Sequence, residues 1–117
     1  MDINVRKRSH VFLVHLRGPL RLGEAVDGLR KTLEELLGSG EHNLVIDLSE
    51  VPMIDSSGIG IVVRYLATTK ARGGSVKLLN PSQFAVRTLK LVGVLNLFEV
   101  FDNEEKAVES FGRTAPA

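Results

Sequence analysis

Hydrophobic and polar positions change period several times along the chain, and each change marks an element. Ile3-Asn4-Val5 alternates, and Val11-Phe12-Leu13-Val14-His15-Leu16 is a nearly continuous apolar run, so two strands are predicted around a polar turn at Ser9-His10. Gly18-Pro19 then breaks the chain. From about Gly23 to Leu37, Val26, Leu29, Leu33, Leu36 and Leu37 recur at helical spacing, with Arg30, Lys31, Glu34 and Glu35 opposite. That pattern predicts an amphipathic surface helix, ended by Gly38-Ser39-Gly40. Leu44 to Leu48 is a short apolar run suited to a central strand covered on both faces. A second helix is predicted from about Ser56 to Arg72, with a stripe of Ile59, Val62, Val63 and Leu66 and a stop at Gly73-Gly74. Val76 to Leu79 reads as the next strand. Asn80-Pro81-Ser82-Gln83 reads as a helix start, with Asn80 as cap, Pro81 in the first turn and Gln83 reaching back. That helix should run towards Leu91 and stop near Gly93. Leu97 to Phe101 is the last predicted strand, and Asp102, with Glu105 three residues on, opens a final helix carrying Ala107, Val108 and Phe111.

From residue 44 onwards strands and helices alternate, which calls for parallel pairing through right-handed crossovers. The fold class expected is α/β, a mixed but mostly parallel sheet of about four or five strands with about four helices packed on it. The leading hairpin makes the sheet mixed. At 117 residues the chain makes one domain, expected over 1–112, with 113–117 as a flexible tail.

Charge and composition narrow the function classes. Fifteen Lys plus Arg against fourteen Asp plus Glu leave a formal +1, which gives no concentrated basic face for nucleic acid. The basic run Arg6-Lys7-Arg8 reads as a solvated strand edge that blunts aggregation. No cysteine means no disulfide, thiolate nucleophile or thiolate metal site. The apolar run after Arg8 is stopped by His15 and Arg17 before it reaches signal-peptide length, and Ile59 to Val63 is far short of a membrane span. A cytoplasmic location without membrane insertion is the expectation.

One junction carries more information. The strand Leu44–Leu48 passes through Ser49–Ile54 into Asp55-Ser56-Ser57-Gly58-Ile59-Gly60. Two hydroxyls and a carboxylate stand at a helix N-terminus, where unpaired N–H groups and the macrodipole favour an acceptor or an anion. Capping alone would account for Asp55 or Ser56, at ~1 kcal/mol. It does not account for Gly58 and Gly60, each of which costs up to ~1 kcal/mol against alanine inside a helix. Two glycines there imply a bare backbone that admits a phosphate, another chain or a neighbouring element.

Val45-Ile46-Asp47-Leu48 followed by Met53-Ile54-Asp55-Ser56-Ser57-Gly58-Ile59-Gly60 resembles the signature of STAS domains, and among them the single-domain anti-sigma factor antagonists of bacteria. The likeness extends through Gly73-Gly74, Asn80-Pro81 and Gly93-Val94, and so covers most of the chain. It implies a switch protein that binds an anti-sigma factor, itself a serine kinase, while unphosphorylated and so frees a sigma factor to direct transcription. A phosphatase would reset it. The serine directly after the aspartate is the family's phosphoacceptor, which falls on Ser56; the residue chemistry alone leaves Ser57 as the alternative. Asp55, Ser56, Ser57 and Gly58, with Met53 and Ile59 flanking the turn and Arg21 in the preceding loop, are the expected partner-binding residues. In Gly18-Pro19-Leu20-Arg21 a cation stands where the family commonly has an acid; it reads as solvated charge, or as a group that holds the phosphate.

Rival readings find less support. His10, His15 and His42 all precede the motif, no G-x-S-x-G elbow occurs, and Val63 stands where a dinucleotide loop needs its third glycine. Asp47 at a strand end lacks the acidic pair and the lysine of a receiver domain. Catalysis, a metal and a cofactor are therefore not expected. The competitor is a non-switching STAS scaffold, or an accessory of a stress-signalling, membrane-transport or lipid-transport complex.

Overall fold

A computed structural model describes residues 1–112. β1 (Asp2–Arg8) and β2 (Val11–Arg17) form an antiparallel hairpin, closed by Ser9 in the left-handed region at φ 56°. There follow α1 (Glu24–Gly38), β3 (Asn43–Glu50), α2 (Ser56–Ala71), β4 (Ser75–Leu79), α3 (Gln83–Val92), a 3-10 turn (Leu95–Leu97), β5 (Val100–Phe101) and α4 (Glu104–Glu109). The five strands lie in sequence order, and every pair after the hairpin is parallel.

Sequence order has a geometric consequence. Successive right-handed crossovers stepping in one direction put their helices on one face of the sheet. α1, α2 and α3 accordingly share a face and enclose the main core, where Val14, Leu16, Leu29, Leu33, Leu44, Ile46, Leu48 and Leu78 are all buried. α4 crosses to the other face, and its Ala107 and Val108 cover Val11, Leu13, Val45 and Leu79. β3 is thus covered on both sides, as its unbroken apolar run predicts.

The basic run lies on the edge strand β1 and is largely exposed, and two of its cations also make ion pairs. Arg6 and Arg8 both reach Glu104 on α4, Arg8 at 2.8 Å, and fasten that short helix across the sheet. The two guanidiniums hold the Glu104 carboxyl below its ordinary range. Lys77 on β4 is a further tie: it is buried, with Nζ 3.1 Å from Glu99 and donating to Ser110 at the end of α4.

Three local expectations need correction. α3 is capped by Ser82, not Asn80, because the Ser82 hydroxyl accepts from the Ala85 amide and donates to Val51 O. Asn80 instead turns with φ 47° and donates its amide to Phe101 O. The last strand is only Val100–Phe101, since the Leu97 and Phe98 amides bond back to Val94 and Leu95. Asn103, whose side chain accepts from Lys106 N, caps α4 in place of Asp102. Arg113–Ala117, the expected tail, lies outside the described residues.

Candidate functional site

The turn at residue 55 is built from two loops at the C-terminal ends of neighbouring strands. Leu20 N donates to Met53 O at 3.0 Å and Asp55 N donates to Leu20 O at 3.1 Å, with a parallel bridge between Leu20 and Ile54. The loop after β2 is therefore zipped to the connection after β3. Asp55 completes the join: Oδ1 accepts from Gly58 N and Oδ2 from Leu22 N, both at 2.9 Å. One carboxylate thus caps α2 and holds the 18–23 loop. The Leu22 amide is the largest cause of the lowered Asp55 pKa, with the Gly58 and Ser57 amides and the Arg21 charge acting in the same direction.

That arrangement makes Asp55 a pH-sensitive fastening. Its pKa lies below 3.8 in the folded chain, so its contribution is complete above that ordinary value and is lost as pH falls through the depressed one. Asp55→Asn presents an amide that cannot accept from two N–H groups in this geometry. The expected result is a variant less stable than the parent near neutrality, with the gap closing in strong acid, read by urea unfolding at both pH extremes.

The two serines differ in placement. Ser56 opens α2 and is exposed, whereas Ser57 is half-buried. Neither hydroxyl has a hydrogen-bond partner among the described residues. The two glycines differ as well. A Cβ on Gly58 would stand 2.8 Å from Leu20 O and 2.9 Å from Ile54 Cγ1, so its bare backbone serves the packing of the zipped loop. A Cβ on Gly60 would meet nothing within 4 Å, and that backbone is open to solvent.

Of the predicted flanking residues, Met53 is 38% exposed, but Ile59 is in the core and offers no surface, and neither does Ile54 beside Met53. Ile59 continues the buried stripe of α2, which is why its neighbourhood to the turn misleads. Arg21 is exposed beside Asp55. Two apolar side chains that periodicity did not single out join this end of the sheet: Leu22, 75% exposed, and Phe84 in the first turn of α3, 63% exposed. Their only sequence signal is an apolar residue at a helix start that lies outside the core stripe. The histidines stay on separate elements, His15 paired with Glu50 at 2.8 Å, and no group of His, Cys, Asp or Glu among the described residues is arranged to hold a metal ion.

Residues 2–107 match the STAS domain family. The chain belongs to that family. This STAS domain is 28% identical over 109 residues to the anti-sigma-B factor antagonist of Bacillus subtilis, covering 93% of this chain and 98% of the relative. Its fold is similar to an anti-sigma-factor antagonist (STAS) domain protein from Planctomyces limnophilus, with TM-score 0.81 at 21% identity over 95% of this chain and 98% of the other. It is also similar to the Bacillus cell fate determinant SpoIIAA, solved in its phosphorylated form, with TM-score 0.74 at 22% identity over 93% of this chain and 98% of that one. The sheet order, with three helices on one face and α4 on the other, is thus the architecture of the STAS domain. No helix among its described residues is long and apolar enough to cross a membrane.

Proposed function

We propose that this STAS domain is an anti-sigma factor antagonist switched by phosphorylation of Ser56. With a free hydroxyl it binds an anti-sigma factor that is also a serine kinase; as phosphoserine it releases that partner, and a phosphatase restores it. The observation that carries this reading is the Ser56 side chain itself: exposed, unpartnered among the described residues, and adjacent to a carboxylate already committed to two amides. Because Asp55 does the capping, Ser56 is not needed as a cap and its oxygen is available to a phosphoryl donor.

The surroundings suit a protein surface. Met53, Leu22 and Phe84 supply exposed apolar area at the helix N-termini that follow three neighbouring strands. Among them stand Arg21, Asp55 and Ser57, and Gly60 leaves the next turn of α2 bare, whereas the predicted Gly58 is buried under the Leu20 loop and offers no surface. Arg21 gives this face a cation that a partner carboxylate can meet. A dianion on Ser56 leaves the core untouched and changes only this face. The similarity of the chain to SpoIIAA in both its unphosphorylated and phosphorylated forms, TM-scores 0.73 and 0.74, supports a switch that acts on the surface and not on the fold. The proposed role is one of binding in the cytoplasm, with ATP belonging to the kinase.

Co-expression with the serine kinase of the same organism tests the assignment. Intact mass should rise by one phosphate, lose that gain in Ser56→Ala and keep it in Ser57→Ala. A phosphate that survives Ser56→Ala overturns the site. A stable multi-protein complex without any phosphate would instead support the scaffold reading.

A further inference from the structure

β5 is the last strand in the sheet order, with β4 on one side of it and no strand among the described residues on the other. Glu99 O accepts from Leu78 N at 3.0 Å, and Phe101 O accepts from Asn80 N at 2.7 Å, so both of these residues address β4. Backbone groups alternate sides along a strand in a parallel ladder, which turns the N–H and C=O of Val100 to the open edge. Natural edges are usually blunted by charge, proline or a covering loop. This one is two residues long between exposed Glu99 and Asp102, and carries Val100, 44% exposed, with Leu97 before it and Leu91 on α3 at 50% and 83%.

The Val100 side chain pairs in register with Leu78 and so faces the helix layer, where a trough runs between β5 and α3. On one side of Val100 the trough is lined by Lys90 and Phe98. On the other it is lined by Asp102, Pro81 and Val86. A cation and a carboxylate therefore stand on opposite sides of one exposed valine.

We propose that this edge pairs with the same edge of a second copy of the chain, antiparallel, about a two-fold axis through Val100. A residue opposite itself in an antiparallel pair exchanges both N–H···O=C bonds, which satisfies the two outward groups of Val100 at once. The same register sets Asp102 of each copy against position 98 of the other, beside Lys90. Two symmetric ion pairs result, as an isologous interface requires. An unrelated extended segment would also satisfy the edge amide and carbonyl. A second copy, by symmetry, also brings a carboxylate to Lys90 and a cation to Asp102.

Sedimentation equilibrium of the full chain over a concentration series tests this. The mass should rise towards twice that of one chain. Val100→Pro removes the edge N–H and should weaken the dimer about tenfold or more, with an unchanged circular dichroism spectrum. Lys90→Asp and Asp102→Lys should each weaken it, and the double variant should restore it. The proposal is overturned by a monomer at every concentration, by a dimer indifferent to these substitutions, or by a double variant no tighter than the singles.

Discussion

Replacing Gly74 with alanine should destabilise the fold by about 3 kcal/mol, at the upper end of what overpacking a rigid site costs. A Cβ there would stand 2.0 Å from His42 O and 2.6 Å from His42 C. These are backbone atoms, and no rotamer change can move them aside. His42 O also accepts from Ser75 N at 3.0 Å, and Gly74 N donates to Thr69 O at 2.8 Å, so both segments are tied where contact occurs. Making room means parting β3 from β4 at the first rung of their ladder, Asn43 against Ser75. For a domain of this size the melting temperature should fall by about 10–20 °C, measured by calorimetry. Gly60→Ala is the control of opposite sign. Its new methyl meets nothing, and removing glycine from a helix interior should stabilise by about 0.5–1 kcal/mol. If Gly74→Ala melts with the parent, the close approach of its backbone to His42 is wrong.

A phosphate on Ser56 should weaken the complex with the anti-sigma factor by a hundredfold or more, about 3 kcal/mol. The modification adds roughly −1.5 to −2 charges at neutral pH. On the free protein that charge sits in water at a helix N-terminus, where the dipole favours it, although the neighbouring Asp55 carboxylate opposes it. In the proposed complex the same charge would have to be desolvated against partner groups that meet a small hydroxyl, and burying an unpaired charge costs several kcal/mol. The difference between these two environments is what the proposed switch would exploit. Titration calorimetry with purified partner should show the loss for the phosphoprotein and a smaller loss for Ser56→Glu, which carries one charge and no tetrahedral group. Equal affinity for phosphorylated and unphosphorylated protein would rule out the mechanism.

Both expectations turn on features with unequal visibility in the chain. The Asp55 turn was legible as a motif, because capping chemistry and glycine placement are local properties written in consecutive residues. Its internal division was not. Gly58 and Gly60 are the same residue two positions apart, yet one is pressed against Leu20 and Ile54 and the other faces solvent. Only the loop returning from β2 distinguishes them. Likewise Ile59 and Met53 are both apolar residues beside the turn, and burial separates them because α2 rotates Ile59 into the core.

By itself the sequence determined the alternation of strands and helices, the helical stripes of α1 and α2, the buried character of β3 and the position of the Asp55 turn. These follow from side-chain periodicity and from glycine, proline and cap residues, which act over a few positions. The tertiary structure decided what depends on distant partners. Ser82 is held as the cap of α3 because its hydroxyl donates a hydrogen bond to Val51 O, 31 residues away. Glu104 is claimed by Arg6 and Arg8 from the far end of the chain. β5 shortens because the amides before it turn inward, and its place at the end of the sheet order leaves Val100 facing away from β4. Local chemistry sets which elements form, and packing sets which of their atoms are left for a partner.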